Sequence, residues 1–416
     1  MPSGRPGAKT DAGPVRSGVR MWRNPMSLKD SEVTVLGAGV AGLAVARALA
    51  LRGAEVTVLE QAEAIREVGA GLQISPNGAA VLRALGLGDA LEAASMRAQA
   101  VELRNGVGGD LVLKLDLARL RPGQGYHLMH RADLIDLLAQ GAREAGVQIR
   151  LLQKIEAVDL GGPRPRLVTA QGAEYAPNLL IGADGLHSLV RAELNGPAQP
   201  FFTNQVAWRT VIPATPGEPV VAEVHMGEGR HLVSYPMRGG TVRNIVAVEE
   251  RKRWVQEGWN LRDDPVDLRL AFAGFNGRVR HWLEQVPDVW LWGLFRHPVA
   301  HTWYRGHAAI LGDAAHPTLP FLAQGANMAL EDAWVLAECL ARHSNIKGGL
   351  ADYQARRVPR CCRVVQAANN NAWAYHLRSP IREIAHLGLR LGSRLLPGPT
   401  LRRFDWLYGY DVTAAS

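Results

Sequence analysis

Residues 32–60 read EVTVLGAGVAGLAVARALALRGAEVTVLE and contain a strand, a helix and a second strand in succession. The first strand runs into a loop with Gly37, Gly39 and Gly42, and the second strand ends at Glu60. Glycines at these positions make a tight turn, let the backbone approach a pyrophosphate and allow close helix–strand packing. An acid at the second strand end accepts hydrogen bonds from ribose hydroxyls. The unit predicts a dinucleotide site, for FAD or NAD, in preference to a packing turn.

Two further apolar strands also end in an acid. Residues 179–191 (LLIGADGLHSLVR) place Asp184 and Gly185 after a strand, and residues 311–333 (LGDAAHPTLPFLAQGANMALEDA) place Asp313 after another. An Asx turn alone would explain Asp184. Ligands, however, bind at the carboxyl edge of a parallel sheet. Acids at that edge favour a ligand rich in hydroxyl groups.

Asp313 has two possible roles because a loop and a helix come directly after it. The loop leads through Pro317 to a helix that begins near Gly325 and Asn327. A helix N-terminus is a favourable anion site, but the charge of Asp313 would repel a phosphate. Either Asp313 caps a turn, or it meets hydroxyl groups while the helix faces an electron-rich part of the same ligand.

Two positions in the first half of the chain are ambiguous by themselves. Gly71 belongs to an irregular segment that either forms a plain loop or lies against a flat ring. Arg131 stands at the start of a helix, where a cation is unfavourable unless an anion is near. Its alternative is a surface arginine.

Composition favours a globular protein of two closely joined domains. The chain has 416 residues and a net charge of +8, but residues 1–25 contain five Lys/Arg against one Asp. No basic stripe comes after this tail, so nucleic-acid binding is not expected. Met26 is a plausible start of the folded part. The three cysteines have no metal-site spacing and fit a reducing cytoplasm.

The middle of the chain changes to alternating apolar runs, which predict a mostly antiparallel sheet. In the run RHLVSYPM, His231 and Tyr235 are four residues apart and project from one face of a strand. They either line a pocket or belong to the core.

Together these segments resemble the single-component FAD-dependent aromatic hydroxylases, the group typified by p-hydroxybenzoate hydroxylase. Within that group, the chain resembles the salicylate, 3-hydroxybenzoate and 6-hydroxynicotinate hydroxylases. Three motifs carry the resemblance, and they are the glycine loop with its acid, the Asp-Gly turn, and the segment Gly-Asp-Ala-Ala-His-Pro with the helix after it. The loop PFLAQGAN departs from the more common P-x-x-G-Q-G-x-N form.

The resemblance implies roles that the residues alone do not establish. FAD would take the glycine loop, with Asp313 on its ribitol hydroxyls, Pro317 and the helix start at Gly325 and Asn327 beside the flavin, and Arg131 nearby. NADH or NADPH would bind transiently. His231 would act as the base on a substrate phenol, with Tyr235 relaying the proton or holding the phenolate. The ring would then react with O2 bound as a flavin C4a-hydroperoxide.

The predicted fold is α/β, with a Rossmann-like FAD-binding domain, an inserted antiparallel substrate domain and a C-terminal helical region. The predicted divisions are a disordered tail (1–30), FAD-binding parts (31–195 and 301–345), a substrate domain (196–300) and C-terminal helices (346–416). The expected substrate is a small phenolic or hydroxy-heteroaromatic acid, in a monomer or homodimer. Two alternatives stay open, namely a polyprenyl quinone-precursor hydroxylase that contacts a membrane through its basic C-terminal helix, and a flavoprotein that does not hydroxylate.

Overall fold

The computed structural model describes residues 28–65, 70–120, 123–197, 199–251, 261–395 and 402–414. Most of the predicted tail, with the proposed start at Met26, lies outside these residues. The strands are β1 (Glu32–Leu36), β2 (Glu55–Leu59), β3 (Gly71–Ile74), β4 (Met96–Arg97), β5 (Ala100–Asn105), β6 (Leu111–Asp116), β7 (His127–His130), β8 (Gln148–Arg150), β9 (Ile155–Asp159), β10 (Arg166–Thr169), β11 (Glu174–Tyr175), β12 (Leu179–Gly182), β13 (Phe201–Pro213), β14 (Val221–Gly227), β15 (Arg230–Met237), β16 (Val242–Glu250), β17 (Leu261–Asp263), β18 (Val289–Arg296), β19 (Tyr304–Arg305) and β20 (Ala308–Ile310).

The α-helices alternate with these strands in the first half of the chain and dominate its end. They are α1 (Val40–Ala50), α2 (Pro76–Ala84), α3 (Gly88–Ala94), α4 (Leu117–Leu120), α5 (Arg131–Glu144), α6 (Leu189–Asn195), α7 (Pro265–Ala271), α8 (Gly277–Glu284), α9 (Gly325–Arg342), α10 (Ile346–Tyr375) and α11 (Ile381–Leu395), and a short helix, Asp405–Tyr408, comes last.

A six-stranded sheet forms the first layer, in the order β19-β20-β12-β1-β2-β8. All its pairings are parallel except β19 with β20. Parallel strands are covered on both faces, which explains the nearly continuous apolar runs VTVL in β1 and β2. Helix α1 packs between α5 and α9, and its residues Leu43, Val45 and Leu49 are fully buried. The strand-end acids therefore share one edge of this sheet.

An eight-stranded sheet forms the second layer, in the order β17-β18-β13-β16-β15-β14-β5-β6. It is antiparallel except for β14 with β5. Strands β5 and β6 come from residues 100–116, well before the predicted substrate domain. Their alternating pattern is typical of any half-buried strand, so this long-range partner was not predictable from it. The predicted domain boundaries stay predictions.

The C-terminal helices complete the fold. Helix α10 packs on α9, and α11 packs against β6. Helix α8 and its neighbours cover the outer face of the second sheet with Trp208, Phe272 and Trp282 at their core. Within the described residues, no helix has the length and apolar character needed to cross a membrane.

Candidate functional site

Three glycines with different constraints shape the loop between β1 and α1. Gly37 adopts a φ of 94°, and a Cβ there would lie 2.6 Å from the carbonyl oxygen of Ala183. A Cβ on Gly42 would collide with the carbonyl oxygen of Gly37. A Cβ on Gly39 would meet nothing within 4 Å, although Gly39 lines a cavity of about 1040 Å³. The space in front of Gly39 is therefore open, as close approach of a pyrophosphate requires.

Glu60 comes directly after β2 and lines the same cavity. Its Oε2 accepts a hydrogen bond from the backbone N of Ala38 at 2.7 Å, and its Oε1 accepts one from Ala62 at 2.9 Å. These bonds fix the carboxylate relative to the glycine loop. Each oxygen has further acceptor capacity for a ligand hydroxyl.

A second cavity, of about 290 Å³, adjoins the first. The two share Gly39, Arg131, Gly185, Arg209 and Asp313 along their walls. The structure thus brings together most of the residues predicted from sequence. The larger cavity adds Gly37, Glu60 and Asp184, and the smaller adds Gly71, His231, Tyr235 and Gly325.

Asp313 occupies the short 3₁₀ turn after β20. Its side chain is exposed and makes no hydrogen bond or ion pair with the described residues, while it lines both cavities. The loop that carries it is held from beneath, because Asp332 accepts hydrogen bonds from the backbone N of Gly312, at 3.0 Å, and from His316. Asp313 therefore does not cap a turn, and its carboxylate is available to a ligand.

His316 is buried and pairs with Asp332, away from the cavities. Burial lowers the pKa of His316, but the charge of Asp332 and its hydrogen bond with the ring outweigh burial, and the net pKa is well above the ordinary value. His316 is therefore protonated in a fully buried ion pair with Asp332. It lines neither cavity.

Pro317 and Asn327 are not on the cavity walls, where Thr318, Leu319, Pro320 and Gln324 lie instead. The Oδ1 of Asn327 accepts from the backbone N of Ser75 at 3.0 Å, and its Nδ2 donates to the carbonyl oxygen of Gln73 at 3.0 Å. Asn327 therefore joins α9 to β3 and α2. Cofactor contacts for Pro317, Asn327 and Gly42 stay predictions.

The departure in the PFLAQGAN loop has a local consequence. Ala323 stands where the more common motif has glycine, and it adopts φ 52° and ψ 38°. This is the left-handed region, which costs a residue with a Cβ about 1–2 kcal/mol. Ala323 thus adopts a backbone conformation that glycine takes without this cost.

The Asp184-Gly185 turn combines two functions. The Asp184 carboxylate accepts hydrogen bonds from Ser188 Oγ at 2.5 Å and from the backbone N of Leu189 at 2.8 Å, which cap α6. Burial raises the pKa of Asp184, although these hydrogen bonds oppose the rise. Arg191 donates to the carbonyl oxygens of Pro298 and Ala314. The carboxylate thus bonds to residues four and five positions on, which is a cap of α6 and differs from the Asx turn predicted as an alternative, and the turn also forms part of the cavity wall.

Gly71 and Arg131 both line the smaller cavity. The backbone N of Gly71 donates to Asn244 Oδ1 of β16 at 2.7 Å. A Cβ on Gly71 would clash with Tyr235 and Met237 of β15. Arg131 is the first residue of α5 and lines both cavities. The irregular segment predicted at Gly71 is wrong, because Gly71 begins β3, which pairs with β7 in a separate three-stranded sheet and contacts β15 and β16 closely at the cavity.

His231 and Tyr235 lie on β15 and both line the smaller cavity. Burial and the neighbouring His376 hold the pKa of His231 well below its ordinary value. Burial also raises the pKa of Tyr235, although Arg209 and a hydrogen bond with Gln73 oppose this rise. At neutral pH His231 is neutral and Tyr235 keeps its phenolic proton.

Sequence reasoning missed several residues around the site. His376, at the end of α10, lies with its Nε2 2.7 Å from His231 Nδ1. Arg357 of α10 forms buried ion pairs with Glu331 and Asp332 of α9. The only available signal was an Arg-rich helix after the last motif, and such a pattern equally describes a solvated surface.

The glycine loop, the strand-end acids and α9 all lie within the part of the chain that matches one known domain family. Residues 30–368 match the family described as FAD binding domain. The chain belongs to this family. Within the family it is an FAD-dependent monooxygenase, and a reduced nicotinamide is the co-substrate typical of the group.

Relatives similar along nearly the whole chain include three aromatic hydroxylases. A 3-amino-4-hydroxybenzoate 2-monooxygenase of Streptomyces cremeus is 37% identical and covers 92% of this chain and 95% of its own. A 3-hydroxybenzoate 6-hydroxylase of Polaromonas naphthalenivorans (strain CJ2) is 32% identical, and the match covers 92% of this chain and 97% of the relative. A salicylate hydroxylase of Pseudomonas putida is 30% identical, with 94% of each covered.

Solved structures share the fold. A salicylate hydroxylase substrate complex superimposes with a TM-score of 0.78 at 24% identity, and covers 93% of this chain and 97% of its own. HpxO of Klebsiella pneumoniae, complexed with FAD and uric acid, superimposes with a TM-score of 0.78 at 25% identity, and the match covers 89% of this chain and 97% of that chain. The predicted α/β fold with its second sheet and C-terminal helices is confirmed.

Proposed function

We propose that this monooxygenase hydroxylates a small aromatic acid that carries a phenolic or heteroaromatic hydroxyl group. The observation that carries the proposal is the smaller cavity, which Arg209, His231 and Tyr235 all line. A cation, a neutral imidazole and a protonated phenol in one cavity match the carboxylate and the hydroxyl of such a substrate.

Arg209 is the proposed partner of the substrate carboxylate. It lines both cavities, and its guanidinium stacks on the ring of Trp292 at 3.7 Å from the centroid. This stacking fixes the planar group, which suits bidentate binding of a carboxylate. Arg230, at the start of β15, instead pairs with Glu249 at 3.4 Å and lines neither cavity.

His231 and Tyr235 are the proposed partners of the ring hydroxyl. A hydroxylated ring attacks an electrophilic oxygen better after deprotonation, and a neutral His231 offers a ring nitrogen that accepts the proton. Tyr235, which keeps its own proton, stabilises the resulting phenolate by donating a hydrogen bond. Val233, Val246 and Val248 cover the same cavity and limit water there.

The cofactor is proposed to lie along both cavities. The open space at Gly39 fits a pyrophosphate, Glu60 fits ribose hydroxyls, and the exposed Asp313 fits the ribitol chain. Gly37, Gly71, Arg131, Asp184, Gly185 and Gly325 would complete its binding surface. When bound, reduced FAD supplies the activated oxygen that is transferred to the ring.

The leading substrate candidate is 3-amino-4-hydroxybenzoate, because relatives that are 34–37% identical carry that activity in their names. A panel of 3-amino-4-hydroxybenzoate, 3-hydroxybenzoate, salicylate and 6-hydroxynicotinate should be tested for stimulated oxidation of NADH and of NADPH, with the products identified by mass spectrometry. Benzoate, which lacks the hydroxyl group, is the control. Nicotinamide oxidation that yields only hydrogen peroxide with every acid would reject hydroxylation of this class.

His231→Ala tests the proposed base. We expect nicotinamide oxidation to continue while hydroxylated product falls by about 10²–10⁴-fold at neutral pH, because general base catalysis is typically worth that much. Raising the pH towards the pKa of the substrate phenol should partly restore product. His281→Ala, whose side chain is 70% exposed on α8, is the control. Equal coupling in the two variants would make His231 a core residue and Tyr235 the next candidate.

The alternative of a polyprenyl-substituted substrate at a membrane surface has one observation in its favour. Helix α11 exposes Ile381, Ile384, Leu387 and Leu391. Such a face binds a lipid surface or a second copy of the chain. For a cytoplasmic enzyme of a small acid, we expect no flotation with anionic vesicles, and light scattering would then distinguish monomer from homodimer.

A further inference from the structure

Three side chains form a continuous path from the smaller cavity to the surface. His231 lines the cavity and is 2% exposed. Its Nδ1 lies 2.7 Å from His376 Nε2, and His376 Nδ1 lies 3.0 Å from Glu250 Oε1. The His376 side chain is 2% exposed, whereas that of Glu250 is 40% exposed. The path therefore begins at a buried imidazole and ends at a carboxylate in contact with water.

The carboxylate fixes the tautomers of both histidines. Ionised Glu250 only accepts hydrogen bonds, so His376 must carry its proton on Nδ1. A neutral His376 then accepts at Nε2, and His231 must donate from Nδ1. The acceptor lone pair of His231 is consequently on Nε2, which has no hydrogen-bond partner among the described residues. This is the state in which His231 can accept a proton from a ligand in the cavity.

Protonation to the imidazolium form is unfavourable for both His231 and His376. Burial lowers the pKa of both rings, and the charge of His376 lowers the pKa of His231 further. Glu250 raises the pKa of His376 while Arg230 lowers it. Arg378 Nη2 lies 3.7 Å from Glu250 Oε2, so the carboxylate also faces a cation.

The other surroundings of His231 do not change this conclusion. The rings of Phe321 and Tyr375 lie 5.6 Å and 5.2 Å from its own ring, centroid to centroid. Burial raises the pKa of Tyr375, so that phenol stays neutral. A proton accepted by His231 is therefore held only if it moves on.

We propose that His376 and Glu250 carry the proton of the substrate hydroxyl from His231 to solvent. This inference rests on the proposed function. The O–H bond of the substrate breaks and an N–H bond forms at His231 Nε2, while Nδ1 passes its proton to His376 Nε2. His376 Nδ1 passes its proton to Glu250, which releases it to water. The substrate becomes a phenolate, and no atom retains an extra proton.

The same path runs backwards to reset the site. After one transfer both histidines are in the opposite tautomer, with the proton on Nε2. The product, when it leaves as a neutral phenol, takes the proton from His231 Nε2, and a proton from water returns through Glu250 and His376. His376 and Glu250 act through His231 and are thus positioning and proton-transfer residues without substrate contact.

Glu250→Gln is the decisive variant. Glutamine still accepts a hydrogen bond from His376 Nδ1 but cannot take up its proton. With 3-amino-4-hydroxybenzoate as substrate, we expect the amount of product formed per nicotinamide oxidised to fall at least about tenfold at pH 7. General base catalysis as a whole is typically worth about 10²–10⁴-fold in rate, and this variant removes only the onward transfer of the proton. Substrate affinity should be unchanged, and product should recover as the pH approaches about 10, the ordinary pKa of a phenol.

Glu228→Gln is the matched control. Glu228 is 57% exposed and pairs with the same Arg378, at 3.8 Å, without contact to His376. We expect its pH profile to equal that of the wild type. Equal profiles for Glu250→Gln and Glu228→Gln, in an enzyme that hydroxylates normally, would overturn the relay. A wild type without hydroxylation of any panel acid would instead reject the proposed function.

A second readout needs no turnover. In ¹⁵N-histidine NMR spectra of the full-length, FAD-bound protein, the wild type should show Nδ1–H tautomers for His231 and His376 at pH 7–8, assigned with His231→Ala and His376→Gln. Glu250→Gln should keep these tautomers, whereas Glu250→Ala should lose the preference at His376. An Nε2–H tautomer of His376 in the wild type would overturn the proposed direction of transfer.

Discussion

Replacing Arg357 with methionine would remove the cation between two buried carboxylates. Arg357 Nη1 lies 2.8 Å from Glu331 Oε2, and its Nε donates to Asp332 Oδ1 at 2.7 Å. All three side chains are 0% exposed. Since Asp332 also holds the backbone N of Gly312, the effect should extend to the loop that carries Asp313.

The expected loss in the free energy of unfolding depends on the partners that Glu331 and Asp332 keep in the variant. Breaking a buried ion pair by removing one member typically costs about 3–5 kcal/mol. Glu331 keeps Arg360 at 3.0 Å and Asp332 keeps His316, so the lower end of that range applies. For a chain of 416 residues, whose entropy of unfolding is about 2.1 cal/mol/K per residue, a loss of about 3 kcal/mol corresponds to a drop in Tm of about 3–4 °C. It is a large part of a typical free energy of unfolding of about 5–15 kcal/mol.

The assay is urea unfolding monitored by far-UV circular dichroism at a fixed, saturating FAD concentration, because ligand binding itself shifts stability. The matched control is Arg356→Met, since Arg356 pairs with Glu338 at 2.9 Å while 29% exposed. A surface pair is worth about 0–1 kcal/mol. If Arg357→Met lowers the free energy of unfolding no more than Arg356→Met does, the argument from burial is refuted.

The remaining predictions concern the cofactor site, the loop at Ala323 and the buried His127. Gly39→Val should abolish FAD binding and keep the fold, because its φ of −78° and ψ of −174° suit valine while the side chain would fill the ligand space; the checks are bound flavin absorbance and circular dichroism, and wild-type FAD affinity would contradict it. Asp313→Ala should weaken FAD retention on gel filtration without lowering the unfolding midpoint of the FAD-free protein. Ala323→Gly should raise the free energy of unfolding by about 0.5–1 kcal/mol, since relief of the left-handed strain exceeds the entropy cost of glycine; a lower urea midpoint would count against it. Burial lowers the pKa of His127 to about 4, although Glu92 opposes the shift; the unfolded state therefore takes up a proton first, and stability should fall by roughly 2–3 kcal/mol as the pH falls from about 6.5 to 4. His127→Gln should flatten this part of the pH dependence in urea titrations, and an unchanged slope would refute the assignment.

Motifs whose chemistry is local were predictable from the sequence. Gly37 needs a positive φ and Gly39 needs open space, and both requirements come from one turn of backbone between a strand and a helix. The ends of parallel strands meet at one sheet edge, so the gathering of Glu60, Asp184 and Asp313 around one cavity was also predictable. The family match confirms the class of enzyme that these motifs predicted.

Residues that depend on distant partners were not predictable in the same way. Asn327 was assigned to the cofactor from its motif, yet its amide bonds to Gln73 and Ser75, which are about 250 positions earlier. A side chain with two donors and two acceptors satisfies a ligand or a backbone equally well. The sequence pattern therefore does not distinguish the two roles.

The sequence by itself determined the dinucleotide unit, the strand-end acids and the pairing of His231 with Tyr235 on one strand face. These rest on short-range geometry, in which neighbouring residues set each other's direction. Only the tertiary structure decided that His376, 145 positions away, would contact His231 and lower its pKa. Solvation and charge depend on everything packed around a group, and folding alone brings those groups together.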